Sequence, residues 1–202
     1  VSETRTEILD GALELLSSDG TVSLDSAAQR AGLTKAGLMH YFPTKQALML
    51  ALVDHVVDRW EQRLAGFLSG PPTEATARER VLAYLDWTLS TSFDCADLIM
   101  LADPRLRSEL TARWRDRLGP WINPAADTTL SAAARARLSA VRMLADGVWL
   151  ADATEVFPLA AEETGHVRAA ALRLLDEPDD AGPDDTALTD ADRTTRTGQT
   201  GR

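Results

Sequence analysis

The sequence predicts an all-α protein: an N-terminal three-helix head built on a helix-turn-helix, followed by a larger helical body. Three observations carry this. Apolar residues recur at i, i+3 and i+4 along most of the chain up to Leu175, as in the stripe Leu48, Leu52, Val56, Trp60 and Leu64. Ser, Thr or Asp precedes many of these runs and Gly or Pro often follows, which are the residues that start and stop helices. No segment shows the strict apolar–polar alternation of a half-buried strand.

The first helix opens at Thr4-Arg5-Thr6-Glu7, a pattern that fits a capping box in which the Thr and Glu side chains each satisfy a free amide. Ile8, Ala12, Leu15 and Leu16 follow at helical spacing, and Asp19-Gly20 stops the helix near Ser18. The next stretch, Ser23 to Lys45, reads as two short helices joined by a tight turn. Ser23 is placed to cap the first of them, and Asp25 suits its positive end. Ala27, Ala28 and Ala31 give it a small apolar face that allows close approach. Gly32 ends it, because glycine takes the left-handed backbone at little steric cost. Thr34 caps the second short helix, Lys35 to about Phe42, whose Leu38 and Phe42 share one face and whose Lys35, His40 and Tyr41 point outward.

This is the grammar of a helix-turn-helix. The run TKAGLMHYFPTKQALMLAL, from Thr34 to Leu52, resembles the TetR family of bacterial repressors, whose third helix ends in a Tyr-Phe-x-x-Lys element leading into a long fourth helix. Here that element is Tyr41-Phe42-Pro43-Thr44-Lys45, with Thr44 as the cap of the fourth helix. The resemblance covers roughly the first quarter of the chain. It implies a DNA-reading head over residues 1–46 and a C-terminal helical regulatory domain over 47–175 that binds a ligand and dimerises. By the same resemblance, Lys45 and Tyr41 hold phosphates, while Thr34, Lys35, Ala36, Gly37 and His40 lie nearest base edges. Gly37 weakens the helix by about 1 kcal/mol relative to Ala; closer backbone approach to DNA and simple tolerance are equal readings of it.

Beyond the head, a long helix runs from Thr44 to about Leu68 and breaks at Ser69-Gly70-Pro71-Pro72. His55 lies one residue off its apolar stripe and reads as a boundary histidine. Further helices are expected from Glu74 to about Phe93, from Asp94 to Ala102, from Arg105 to Leu118, from Ser131 to about Glu155 and from Glu162 to Leu175. Gly119-Pro120 to Pro124 is expected to be irregular and to hold Trp121. Residues 176–202 carry eight acids against three arginines and little apolar content, the composition of a disordered acidic tail.

The chain has 202 residues and a net charge of −10, which is unusual for a protein that binds nucleic acid. Half of that excess sits in the tail, and the first 45 residues hold six acids against four bases. Binding needs positive charge at the phosphates rather than over the whole chain. Lys35, Lys45 and Arg30, with the free amides of helix starts, are the groups that supply it, and the electrostatic part of the affinity is expected to be modest. No run approaches the roughly 18 apolar residues of a membrane span, and the acidic, quickly helical start is unlike a signal peptide. The single Cys95 agrees with a cytoplasmic location.

The aromatic and methionine-rich interior offers Trp87, Phe93, Met100, Trp114, Trp121, Met143 and Trp149 as candidates to line a small-molecule pocket, with Thr88, Asp86, Asp94 and Asp146 as polar contacts. The pocket itself is implied by the family resemblance; the residues alone equally describe solid core. Glu163 and His166 form a lone E-x-x-H, and a di-metal bundle needs two such pairs. Cys95 lies beside Asp94 and Asp97 with no base to activate its thiol. There is no nucleophile elbow, phosphate-binding loop or zinc spacing, so no catalytic residue, metal or cofactor is assigned. The resemblance thus implies a homodimeric, ligand-responsive repressor of an inverted-repeat operator on double-stranded DNA. The alternative is a helical small-molecule-binding or catalytic protein whose head only resembles a DNA reader.

Overall fold

The computed structural model describes residues 3–178, all of whose regular elements are helical. In chain order these are α1 Glu3–Asp19, α2 Leu24–Arg30, α3 Lys35–Tyr41, α4 Lys45–Ala65, α5 Ala77–Ser90, α6 Arg107–Ile122, α7 Ala132–Thr154 and α8 Thr164–Asp176. Short 3-10 helices at Cys95–Leu101, Pro124–Ala126 and Ala161–Glu163 join them. Helices α1 to α3 form the head. Helix α4 runs on from it into the body, so the expected division at residues 46 and 47 falls in the first turn of a continuous helix.

Local chemistry explains most boundaries. Thr44 caps α4 by accepting from the Ala47 amide, and Ser131 caps α7 by accepting from Ala134. Thr76 and Glu79 make a reciprocal capping box, which starts α5 at Ala77 rather than at Glu74. Asp94 and Asp97 do the same for the 3-10 helix Cys95–Leu101. Helix α1 begins at Glu3, so Thr4 lies in its first turn and does not cap it.

Two further expectations are corrected. Helix α6 continues through Gly119-Pro120 to Ile122 instead of ending at Leu118. Proline lacks one N–H, but near a helix end only one intrahelical bond is lost, and the Asn123 amide still closes on the Gly119 carbonyl at 3.0 Å. Asp176, assigned to the tail, is instead the last residue of α8 and pairs with Arg78 at 2.6 Å. The rest of the expected tail from residue 179 lies outside the described residues, as do Val1 and Ser2.

The body is organised on Trp60. Its ring centroid lies 4.6 Å from that of Trp87, 4.7 Å from Trp114, 5.2 Å from Trp149 and 5.8 Å from Phe93, all edge to face. These rings come from α4, α5, α6, α7 and the segment before the first 3-10 helix, so one residue ties the layers together. Polar links reinforce the α4–α6 seam. Arg113 donates two bonds to Asp54 at 2.7 and 2.8 Å, and Arg117 reaches Asp54, Asp58 and Glu61 at 3.0, 2.6 and 3.2 Å. Burial pushes the Asp54 carboxyl up, but the two guanidinium groups outweigh it and hold that carboxyl below its usual range.

Candidate functional site

The helix-turn-helix is fixed by short-range bonds, beginning with the capping box at the start of α2. Ser23 accepts from the Ser26 amide at 3.0 Å, while the Ser26 hydroxyl accepts from the Ser23 amide at 2.9 Å. Gly32 has φ +66, and the space around its missing Cβ is open, so its requirement is conformational rather than steric. Thr34 caps α3 by accepting from the Gly37 amide at 3.1 Å. Leu38 and Phe42 are buried and seat α3 on the head's core. Thr34, Lys35, Ala36, His40 and Tyr41 are thereby left exposed along one face with Met39, and Gly37 is half-buried. A Cβ at Gly37 would stand 3.3 Å from the Thr34 hydroxyl, so glycine here spares the cap from crowding.

Arg5 is a residue the sequence reading did not single out. It donates to the Tyr41 carbonyl at 3.3 Å, and its guanidinium lies 4.4 Å over the Phe42 ring. A cation at the C-terminal end of α3 favours the helix dipole and holds this helix to α1.

The cations expected at phosphates are each matched by an acid. Lys35 pairs with Asp25 at 2.9 Å, Arg30 with Glu14, and Lys45 with Asp103 at 2.7 Å. The third pair joins the head to the body, since Asp103 lies in the turn before α6 and is only 8% exposed. Hydrogen bonding from Lys45, with a further bond from the Arg105 amide, keeps the Asp103 carboxyl below the usual carboxylate range.

The seven pocket candidates separate in space. Trp87, Phe93 and Met100 are buried in the core, the first two directly against Trp60. Trp114 and Trp149 stack on each other, 5.8 Å apart with planes 11° from parallel, and line a cavity of about 380 Å³ between α5, α6 and α7. Trp121 borders a different, shallow pocket with Pro72, Arg80 and Pro120. Met143 does not line the interior at all: it is 63% exposed on α7. Leu144, Leu150, Val156 and Phe157 are also exposed on α7 and the segment after it, and Phe157 reaches 92%.

The cavity also takes in Tyr84, Leu118, Ile122, Arg142 and Asp146. Tyr84 donates to Asp146 at 3.0 Å, and Arg142 pairs with the other oxygen of the same carboxylate. Burial raises the Asp146 carboxyl above its usual range against the pull of Arg142 and Tyr84. The i, i+4 spacing of Arg142 and Asp146 was the available signal for this polar end; Asp146 was named among the polar candidates without it, and Arg142 was not named. The other polar candidates serve the fold: Thr88 donates to the Leu85 carbonyl, Asp86 pairs with Arg168, and Asp94 caps its 3-10 helix.

A larger opening of about 840 Å³ lies where α1, α4 and the 3-10 helix Cys95–Leu101 meet. Within it His55 pairs with Asp10 at 2.7 Å, Ser17 donates to Asp94 at 3.0 Å and the Trp60 N–H donates to Asp97 at 3.2 Å, while Glu14, which also lines it, pairs with Arg30. Among the described residues no group of three or more His, Cys, Asp or Glu is placed to hold a metal, and no helix is long and apolar enough to cross a membrane.

Residues 8–52 match the family of bacterial regulatory proteins of the tetR type. The HTH-type transcriptional regulator RutR of Escherichia coli K12 is 31% identical over 117 residues, 55% of each chain. The HTH-type transcriptional repressor LfrR of Mycolicibacterium smegmatis is 33% identical over 105 residues, 51% of this chain and 55% of its own. The matched part thus spans about half the length of these curated relatives. Among solved structures, the multidrug binding protein EbrR complexed with malachite green superposes with a TM-score of 0.60 at 19% identity, over 87% of this chain and all of that one. A TetR-family member from Streptomyces coelicolor A3 gives 0.59 at 21% identity over the same shares.

Proposed function

We propose that this chain, whose residues 8–52 match the tetR family of bacterial regulatory proteins, is a ligand-responsive, DNA-binding transcriptional repressor. The observation that carries the proposal is the α3 face. A capped, seven-residue helix with buried Leu38 and Phe42 presents Thr34, Lys35, Ala36, His40 and Tyr41 outward together, the arrangement a recognition helix needs in a major groove. Tyr41 and Lys45 act at phosphates, and the start of α3 acts at base edges. The protein works as a homodimer in the cytoplasm and reads an inverted repeat, because two heads related by a two-fold axis require two-fold-related half-sites.

The dimer forms through α7 and α8, and α7 supplies the exposed apolar residues Met143, Leu144 and Leu150, with Val156 and Phe157 just beyond it. The effector occupies the cavity beside Trp114 and Trp149. EbrR, which shares the fold, is a multidrug binding protein seen with malachite green, and LfrR is a repressor. Helix α6 provides the connection, since it lines the cavity with Trp114, Leu118 and Ile122 and grips α4 through Arg113 and Arg117. An effector that binds one position of α6 better than another shifts the spacing of the two α3 helices, and DNA affinity changes by that difference. Selection of bound sequences from random duplex DNA by the purified chain tests the reading. An enriched inverted repeat is expected; enrichment of no sequence would contradict it.

A further inference from the structure

We infer that the cavity between α5, α6 and α7 selects a planar aromatic anion, such as an aromatic carboxylate, over neutral or cationic aromatics. The inference rests on the proposal that this cavity is the effector site and adds the chemistry of the ligand. Its apolar side comes from the near-parallel Trp114 and Trp149 indoles with Leu118, Ile122 and Leu150, which suits a flat ring system. A volume of about 380 Å³ accommodates a fused-ring molecule rather than a large drug.

The polar side decides the charge. Its single acid, Asp146, is already satisfied, with one oxygen accepting from Tyr84 at 3.0 Å and the other from Arg142. It therefore has little to give a cationic ligand unless Arg142 is displaced, which would leave a half-buried carboxylate unbalanced. Donors remain in excess. A guanidinium carries five N–H groups, and Arg142 shows one such bond, to Asp146. Arg115 stands at the rim with only a 3.6 Å approach to Asp116. The Asn123 carbonyl accepts from the Ala125 amide at 3.2 Å, which leaves its NH₂ to donate. Two guanidiniums against one carboxylate give the lining a net positive charge. An anion with several acceptor oxygens meets those donors, and Arg can hold a carboxylate through two parallel bonds.

Calorimetric titration of the full chain with naphthoate, naphthamide and naphthyltrimethylammonium compares an anion, a neutral molecule and a cation on one ring system. Naphthoate is expected to bind about tenfold or more tightly than the other two. In Arg142→Gln, which uncovers Asp146, naphthoate should lose that advantage while naphthamide binding stays within about threefold, showing that the cavity is intact. Equal affinities, a preference for the cation, or no binding by any probe would overturn the inference. Operator affinity measured with each bound probe separates the two claims. If naphthoate wins but leaves DNA affinity unchanged, the ligand class stands and the effector role falls. If the cation binds more tightly and releases DNA, the effector role stands and the ligand class falls.

Discussion

The ammonium of Lys45 lies 2.7 Å from the carboxylate of Asp103, so the first residue of α4 is tied to the turn that precedes α6. Next to it, Gln46 donates to Glu109 on α6. The lysine proposed to hold a phosphate is therefore already held by an acid of the body. On that proposal DNA competes with Asp103 for it, and movement at the start of α6 alters that competition.

Asp103→Asn removes the competitor. It is expected to raise affinity for all DNA sequences about three- to tenfold at low salt, with the gain shrinking as salt screens it. In a Lys45→Ala background the same substitution should have almost no effect, because the two residues act as one pair. The Asp103 carboxyl is depressed in the folded chain, so the pair stabilises the fold at neutral pH, and that contribution is lost as pH falls through the depressed value. Melting temperature followed from neutral to acid pH should therefore fall less for Asp103→Asn than for the parent.

Trp60 contacts rings from every major layer of the body, so Trp60→Ala should destabilise the protein by about 3–5 kcal/mol. Chemical denaturation of the two proteins checks this. A loss near that of an exposed substitution would mean the ring cluster does not organise the core.

Gly32→Ala places a Cβ at φ +66 with no neighbours to clash, so only backbone strain acts. Roughly 1–2 kcal/mol of stability should be lost, and nearby Thr34→Ala should lose about 1 kcal/mol with its cap bond to Gly37. Thermal melts of both variants measure these costs.

The head was legible because its determinants are local. Ser23, Gly32, Thr34 and Thr44 each act within three residues of their own positions, and the structure finds each cap and the positive φ where the spacing puts them. The body was legible in its helices but not in its packing. Whether Met143 faces inward depends on how α7 is rotated against α5, and α7 is apolar enough around its circumference to permit more than one rotation. Trp60 lies on the stripe that predicted α4, yet its place at the centre of the aromatic cluster follows only from the approach of three other helices. The pairing of Lys45 with Asp103 joins residues 58 positions apart in the chain and leaves no trace in local spacing.

Phe157 is 92% exposed and has φ +53, an unfavourable backbone for a bulky residue in a place where it covers nothing of its own chain. In the proposed dimer it anchors the partner. Phe157→Asp combined with Leu144→Asp should convert the protein to a folded monomer in light scattering at micromolar concentration. A dimer of unchanged stability would place the interface elsewhere.

The central claim is that the exposed face of α3 reads DNA, and binding to a selected inverted repeat against a scrambled duplex over a salt series tests it most directly. The intact chain should prefer the selected site by about a thousandfold. Lys45→Ala should weaken both duplexes alike and reduce the salt slope by about 1, while His40→Ala should erode the preference at particular base positions. Equal affinity for the two duplexes, unchanged by either substitution, would contradict the account.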